Sequence, residues 1–186
     1  MAVGASDREK PAAPPDGEPV QRTADGRYLV VGGRRWRASD PQIPETLRTE
    51  LVGELMAARR AVRDAGPDEA AVARARRRVQ DAKVALGERG EAWWEPPSDD
   101  GLRQRLAAAM RTLLWRRKPE SSICPSDAAR VAAGPAWRAA MDSSRAVAAE
   151  LAAAGVIEVR QRGVKVDPAT ATGALRLARG AGWPAD

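Results

Sequence analysis

The sequence has no phenylalanine, no histidine, one tyrosine and one cysteine. Without histidine, the Ser-His-Asp and Cys-His nucleophile arrangements are excluded. A zinc site of Cys and His ligands is excluded as well, because only one such ligand exists. That ligand, Cys124, cannot close an internal disulfide and suits a reducing compartment. No base that would activate it is visible, so it reads as a small buried residue rather than a nucleophile. No cluster of carboxylates has the spacing of an oxygen-ligand metal site. No cofactor and no enzymatic activity are expected. No apolar run approaches the roughly 20 residues needed to span a bilayer. The first 24 residues lack the apolar segment of a secretory leader, so the expected location is the cytoplasm.

What is present is six tryptophans, which must supply most of the large aromatic packing, and a hydrophobic fraction of 44%, enough for a packed core. The 186 residues can hold one domain or two small ones. The net charge of +6 is unevenly placed. Residues 1–97 carry 17 basic and 16 acidic side chains, and residues 98–186 carry 14 basic and 9 acidic. The excess in the second half suits an anionic partner. Arginine far outnumbers lysine and alanine is abundant, so codon bias in a GC-rich bacterial genome is a competing source of basicity.

Residues 1–24, rich in Pro, Ala, Asp, Glu and Gly, read as a disordered tail. Residues 25–95 read as a β-hairpin followed by an αα-hairpin. Arg27-Tyr28-Leu29-Val30-Val31 and Arg34-Arg35-Trp36-Arg37 are strands around a Gly32-Gly33 turn, with Trp36 expected on the apolar side. Such a hairpin is marginal alone, and the following segment is expected to support it. Leu47, Leu51, Leu55 and Ala58 then recur at helical spacing, and Ala65-Gly66-Pro67-Asp68 breaks the helix. A second helix runs from about Asp68 to Leu86, with Val72, Ala75, Val79, Ala82 and Leu86 on one stripe. Its Arg74, Arg76, Arg77 and Arg78 read as a solvated face with weak ion pairs, or as a nucleic-acid contact. Trp93-Trp94 either seals a junction or offers a stacking platform, and residues 96–100 read as a linker.

Residues 101–180 have the element order of a winged helix-turn-helix, with residues 181–186 as a tail. The first helix spans about Gly101 to Arg117, with Leu102, Leu106, Ala109, Met110, Leu113 and Leu114 buried. Arg116-Arg117-Lys118 at its end either complements the dipole or binds phosphate. Cys124-Pro125-Ser126-Asp127 opens a short helix, and Gly134-Pro135 turns the chain. A long helix is expected from Trp137 to Ala154, with Arg138, Asp142 and Arg145 on its outer face. Val156 to Leu177 forms a hairpin whose tip is Gln161-Arg162-Gly163 and whose return strand is Val164-Lys165-Val166. The fold class is therefore mainly α with small β-hairpins.

Ser122-Ile123-Cys124-Pro125-Ser126, Ala129-Arg130, Trp137-Arg138, Gly163, Val166-Asp167-Pro168 and Gly173-Ala174-Leu175-Arg176-Leu177 carry a resemblance. From about Leu102 to Leu177 the chain resembles the bacterial domain-of-unknown-function family 3253, with Gly173-Ala174-Leu175 where relatives often have Gly-Pro-Ile. The resemblance implies a winged helix and no established activity. The N-terminal half, through Gly33-Arg34-Arg35-Trp36-Arg37 and Ala82-Lys83-Val84-Ala85-Leu86-Gly87, is similar to a module found with that family in actinobacterial proteins. Those proteins often carry the automatic name "biopolymer transporter Tol", and nothing in this sequence supports transport.

The expected function is non-catalytic binding of double-stranded DNA, as in a transcriptional regulator. Arg138 and Arg145 would lie at the major groove, Arg160, Arg162 and Lys165 would hold phosphate through the wing, and Arg176 would lie near the same surface. The exposed helix face is poor in Asn and Gln, and Asp142 sits between its arginines, so the base-reading code is thin. The rival expectation is a protein-docking or self-association module that binds no nucleic acid.

Overall fold

The computed structural model describes residues 20–168 and 170–184. The chain divides into two compact units, Met1–Ala38 and Ser39–Asp186. Among the described residues the architecture is mainly α with two small antiparallel three-stranded sheets.

In the first unit β1 (Gln21–Arg22), β2 (Tyr28–Val31) and β3 (Arg34–Arg37) lie side by side in that order. Gly32 and Gly33 join β2 to β3 with φ of 54° and 71°. Both positive values belong to a tight two-residue turn, and only glycine reaches them without strain. β1 falls within the stretch expected as tail, while residues 1–19 lie outside the described ones. Trp36 pairs across from Leu29 but stays exposed, contrary to the apolar placement expected of it.

The second unit begins with α1 (Glu45–Asp64) and α2 (Glu69–Ala85). Asp68 caps α2 by accepting the Ala71 amide. α3 (Asp99–Arg116) starts at Ser98, whose hydroxyl accepts the Gly101 amide. Glu91 in turn accepts the Ser98 hydroxyl and amide, and these hydrogen bonds hold its carboxyl below the usual range. The expected linker at 96–100 thus runs straight into a capped helix. It also separates no cores, because α1 and α2 pack into the same hydrophobic cluster as everything after them. Leu51 and Leu55 of α1, Ala82 of α2 and Leu86 just after it meet Leu106, Met110 and Leu113 of α3 there. A charged contact closes the same seam. Arg105 of α3 reaches Asp40, just before α1, at 2.8 Å, and its guanidinium also donates to the carbonyls of Ala85 and Ala132.

α4 (Pro125–Ala133) carries Pro125 at its first position, and Asp127 accepts the Cys124 amide at 3.1 Å. Ser144, in α5 (Met141–Ala153), is fully buried and donates its hydroxyl to the Pro125 carbonyl at 2.8 Å. Ser144→Ala should remove this tie between α5 and α4, leave the carbonyl its bond within the helix, and lower unfolding free energy by about 1 kcal/mol, read by urea denaturation. An unchanged midpoint would mean that the bond does not form.

β4 (Ile157–Gln161) is the centre of the second sheet, with β5 (Val164–Lys165) on one side and β6 (Arg176–Arg179) on the other. Ile123, between α3 and α4, adds one further rung by exchanging two backbone hydrogen bonds with Leu177. The expected return strand at 164–166 is therefore only a short lip, and β6 is the main partner of β4. Ile157, Val159 and Leu177 face the helices, all 2% exposed or less. Residues 181–184, expected as a tail, are tied down. The Gly182 amide donates to Gly155, and Trp183 packs against the core. Arg179 donates to the carbonyls of Leu114, Trp115 and Arg117 and so satisfies the C-terminal end of α3. Arg117, expected in that role, instead grips Glu50 with two bonds of 2.8 and 2.9 Å. Among the described residues no helix is long and apolar enough to cross a membrane.

Candidate nucleic-acid interface

Strand register builds a cationic group. Arg160 pairs directly with Lys165 on one side and with Arg176 on the other. Directly paired residues share a face, so three cations form a row on the side of the sheet opposite Val159 and Leu177. One carboxylate answers them. Glu158, two residues before Arg160 on the same face, accepts the Arg160 Nε–H at 2.6 Å. That hydrogen bond, with further attraction from Lys165, holds the Glu158 carboxyl below its ordinary range. The row keeps a net charge of +2.

Each member has a distinct anchorage. Arg176 donates to the hydroxyl and carbonyl of Ser122, which leaves its guanidinium exposed but fixed in direction. Lys165 is exposed. Arg162 is exposed at the tip with φ of 51°, and among the described residues it has no ion-pair or hydrogen-bond partner. A non-glycine residue in that left-handed region costs about 1–2 kcal/mol. Gly163 follows with φ of 84°, and the two together make the tight reversal that presents Arg162.

The helix group is placed differently from the expectation. α5 begins at Met141, so Arg138 does not lie on it. Gly134 has φ 49° and ψ −124°, and Pro135 lacks an amide hydrogen. Together they start a tight 3-10 turn at Gly134–Ala136, and three-residue hydrogen bonds continue to Met141. This turn carries Trp137, whose ring has the Arg130 guanidinium at 4.4 Å and that of Arg138 at 4.6 Å. Stacking on tryptophan orders Arg138 while leaving it exposed. Asp142 is also exposed, at the first turn of α5.

Arg145 is on α5 as expected, but its side chain is partly engaged. It donates to the Gly173 carbonyl at 2.5 Å, while Gln161 donates to the neighbouring Thr172 carbonyl. These two bonds pin the loop between β5 and β6 to the body of the fold. The six cations therefore form two groups. Arg160, Lys165 and Arg176 share the outer sheet face, while Arg138 and Arg145 belong to the helical side, and Arg162 stands alone at the tip. The row was not legible in the sequence, because alternation fixes which residues share a face only once the register is known. Arg130 packs on the same indole as Arg138 but is held by Asp127 at 3.7 Å and donates to the Ser126 hydroxyl at 3.3 Å.

No curated protein matches the chain. Residues 103–180, which hold all six cations and run from within α3 to just past β6, match the model of a family described as protein of unknown function (DUF3253).

Proposed function

We propose that residues 101–180 act as a winged helix-turn-helix that binds double-stranded DNA without catalysis, with the wing as its principal phosphate contact. Three helices followed by a β-ribbon, with the Ile123 rung between the first two helices, support the winged-helix reading. The observation that carries the DNA reading is the Lys165–Arg160–Arg176 row. Like charges directly opposite each other destabilise a sheet, and a phosphate oxygen would relieve that repulsion. Arg138 and Arg145 serve as secondary contacts from the helical side. A cytoplasmic location accords with this role.

Lys165→Glu separates binding from folding. Labelled-duplex titration at low salt should show at least about a tenfold loss of affinity and a shallower dependence on salt, by about one unit of slope per lost phosphate contact. The fold should be as stable as before or firmer by about 0.2–1 kcal/mol, because a cross-strand repulsion becomes an attraction. Absence of duplex binding by the unaltered protein at low salt would sink the proposal, and so would unchanged binding by the variant.

A second reading, protein docking, has one observation of its own. Val52 and Met56 are exposed one turn apart on α1. Self-association that persists in high salt, measured by light scattering and lost in Met56→Lys, would favour it, since apolar contact survives screening.

A further inference from the structure

A second cationic surface belongs to the first unit. Residues 20–38 hold five arginines, Arg22, Arg27, Arg34, Arg35 and Arg37, against one carboxylate, Asp25. That carboxylate is engaged in the turn between β1 and β2, where it accepts the Thr23 hydroxyl and the Arg27 amide. Arg34 has no ion-pair or hydrogen-bond partner among the described residues, and Arg22 donates to the Gly26 carbonyl. So strong an excess of one sign in a short segment attracts a polyanion.

Strand register sorts these side chains. Arg22, Leu29 and Trp36 are directly paired across β1, β2 and β3 and form one row on one face. Arg34, paired with Val31, lies on that face two residues before Trp36. Arg22, Arg34 and Trp36 are exposed, while Leu29 and Val31 beside them are half-buried. Trp36 is 46% exposed, whereas every other tryptophan of the chain is at least partly buried. A large apolar ring left in water among guanidinium groups suits a partner that is flat and apolar on its face and anionic along its edge.

We propose that this face binds single-stranded DNA, with a base stacked on Trp36 and the flanking phosphates held by Arg22 and Arg34. Bases in a duplex are stacked on one another, so an unpaired base is the one with a face to offer the indole. A bare anion would use the arginines and leave the ring idle. The sugar separates DNA from RNA. The arginine, tryptophan, leucine and valine side chains of this face hold no acceptor for a 2′-hydroxyl proton. Leu29 and Val31 instead offer apolar contact, which suits deoxyribose and the thymine methyl group.

The test is fluorescence anisotropy of the full chain with three labelled oligomers of about ten nucleotides: oligo(dT), oligo(rU), and an abasic deoxyribose-phosphate chain of the same charge. Oligo(dT) should bind saturably and at least about fivefold more tightly than the abasic chain, because a stacked base raises affinity roughly 5- to 150-fold. Oligo(rU) should bind several-fold more weakly than oligo(dT). Trp36→Ala should bring oligo(dT) down to the level of the abasic chain, while Trp36→Tyr keeps most of the affinity. A small sheet tolerates the loss of a large ring poorly, so Arg34→Gln gives an independent reading. It removes no contact within the described residues and should leave the melting temperature unchanged. It should nonetheless weaken oligo(dT) and make the salt dependence shallower by about 0.7 of a unit of slope. The proposal is overturned if oligo(dT) binds no more tightly than the abasic chain, or if oligo(rU) binds as tightly as oligo(dT). It is equally overturned if Trp36→Ala or Arg34→Gln leaves oligo(dT) binding unmoved, or if Lys165→Glu abolishes it, which would place the binding on the wing. Duplex binding should be unaffected by Trp36→Ala, so this proposal and the wing reading can fail separately.

Discussion

Arg78→Ala is expected to cost about 3–5 kcal/mol of unfolding free energy at neutral pH and far less in acid. Glu54 sits at 2% exposure inside the helical core, and Arg78 is its only direct ion-pair partner among the described residues, at 2.8 Å. Removing one member of a buried pair leaves a charge in a medium that cannot solvate it, and that penalty dominates the loss. The guanidinium also lies 4.3 Å from the centre of Trp115, so a cation–π contact disappears with it. The pH dependence follows from Glu54. Burial raises its carboxyl above the ordinary 4.5, while the hydrogen bond and charge of Arg78 oppose that rise. A raised folded value means that the native state holds the proton more tightly than the unfolded chain does. The stability this contributes is complete below about 4.5 and is lost as pH rises through the folded value. Without Arg78 the folded value rises further. The variant should therefore approach the unaltered protein near pH 4 and fall well below it at pH 7.5, as read by urea denaturation at both. Arg78→Met combined with Glu54→Met should recover most of the loss, since a buried pair replaced by apolar groups of similar size is often neutral. A loss that is the same at both pH values would show that Glu54 is not the group left stranded.

Periodicity made the helical half of this fold legible. Leucines at 47, 51 and 55 marked the buried face of α1, and the Ala65-Gly66-Pro67-Asp68 break marked where α2 begins. The Gly32-Gly33 turn set the register of β2 against β3 for the same kind of reason, because only one residue type fits it. What periodicity cannot give is the partner of a stripe. The apolar face of α2 reads the same whether it packs on α1 alone or, as here, on α1 and α3 together. The helices on both sides of the linker expected at residues 96–100 therefore share one continuous core.

The candidate interface divides in the same way. Exposure of Arg162 and Lys165 followed from their place at a hairpin tip, which local sequence specifies. The position of Arg138 did not, because Trp137 looks like the first knob of a helix until the preceding Gly-Pro turn draws it into a stack with Arg130. Arg78 shows the opposite error. It sits in a run of basic residues that reads as a solvated face, yet one member of that run neutralises a glutamate from another helix. The sequence signal was Glu54 itself, a charged residue between Leu51 and Leu55 on the buried stripe of α1. A charge in that position requires a counter-charge from a neighbouring element.

Gly180→Ala should lower unfolding free energy by about 3 kcal/mol, although the replacement adds one methyl group. A Cβ at residue 180 would stand 2.4 Å from the Gly155 carbonyl oxygen and 2.8 Å from that of Ile157. Both obstacles are backbone, so neither can swing aside as a side chain would. The chain leaving β6 crosses directly over the entry to β4, held by the Gly180 amide on Val156 at 3.0 Å and the Gly182 amide on Gly155 at 2.9 Å. Relieving the clash must lift this crossing and weaken both bonds. Overpacking of this kind costs about 1–3 kcal/mol, and each lost hydrogen bond adds roughly 1 kcal/mol. For a domain of this size the melting temperature should fall by about 6–12 °C. Gly163→Ala is the control. Its Cβ meets nothing within 4 Å, so only the left-handed backbone angle is strained and the cost should be about 1 kcal/mol. The crossing also holds Trp183 against the core, 5.2 Å from the Trp115 ring, so Gly180→Ala should change the near-ultraviolet circular dichroism of the tryptophans while Gly163→Ala leaves it intact. Equal stability of the two variants would mean that the two strand ends do not cross in contact.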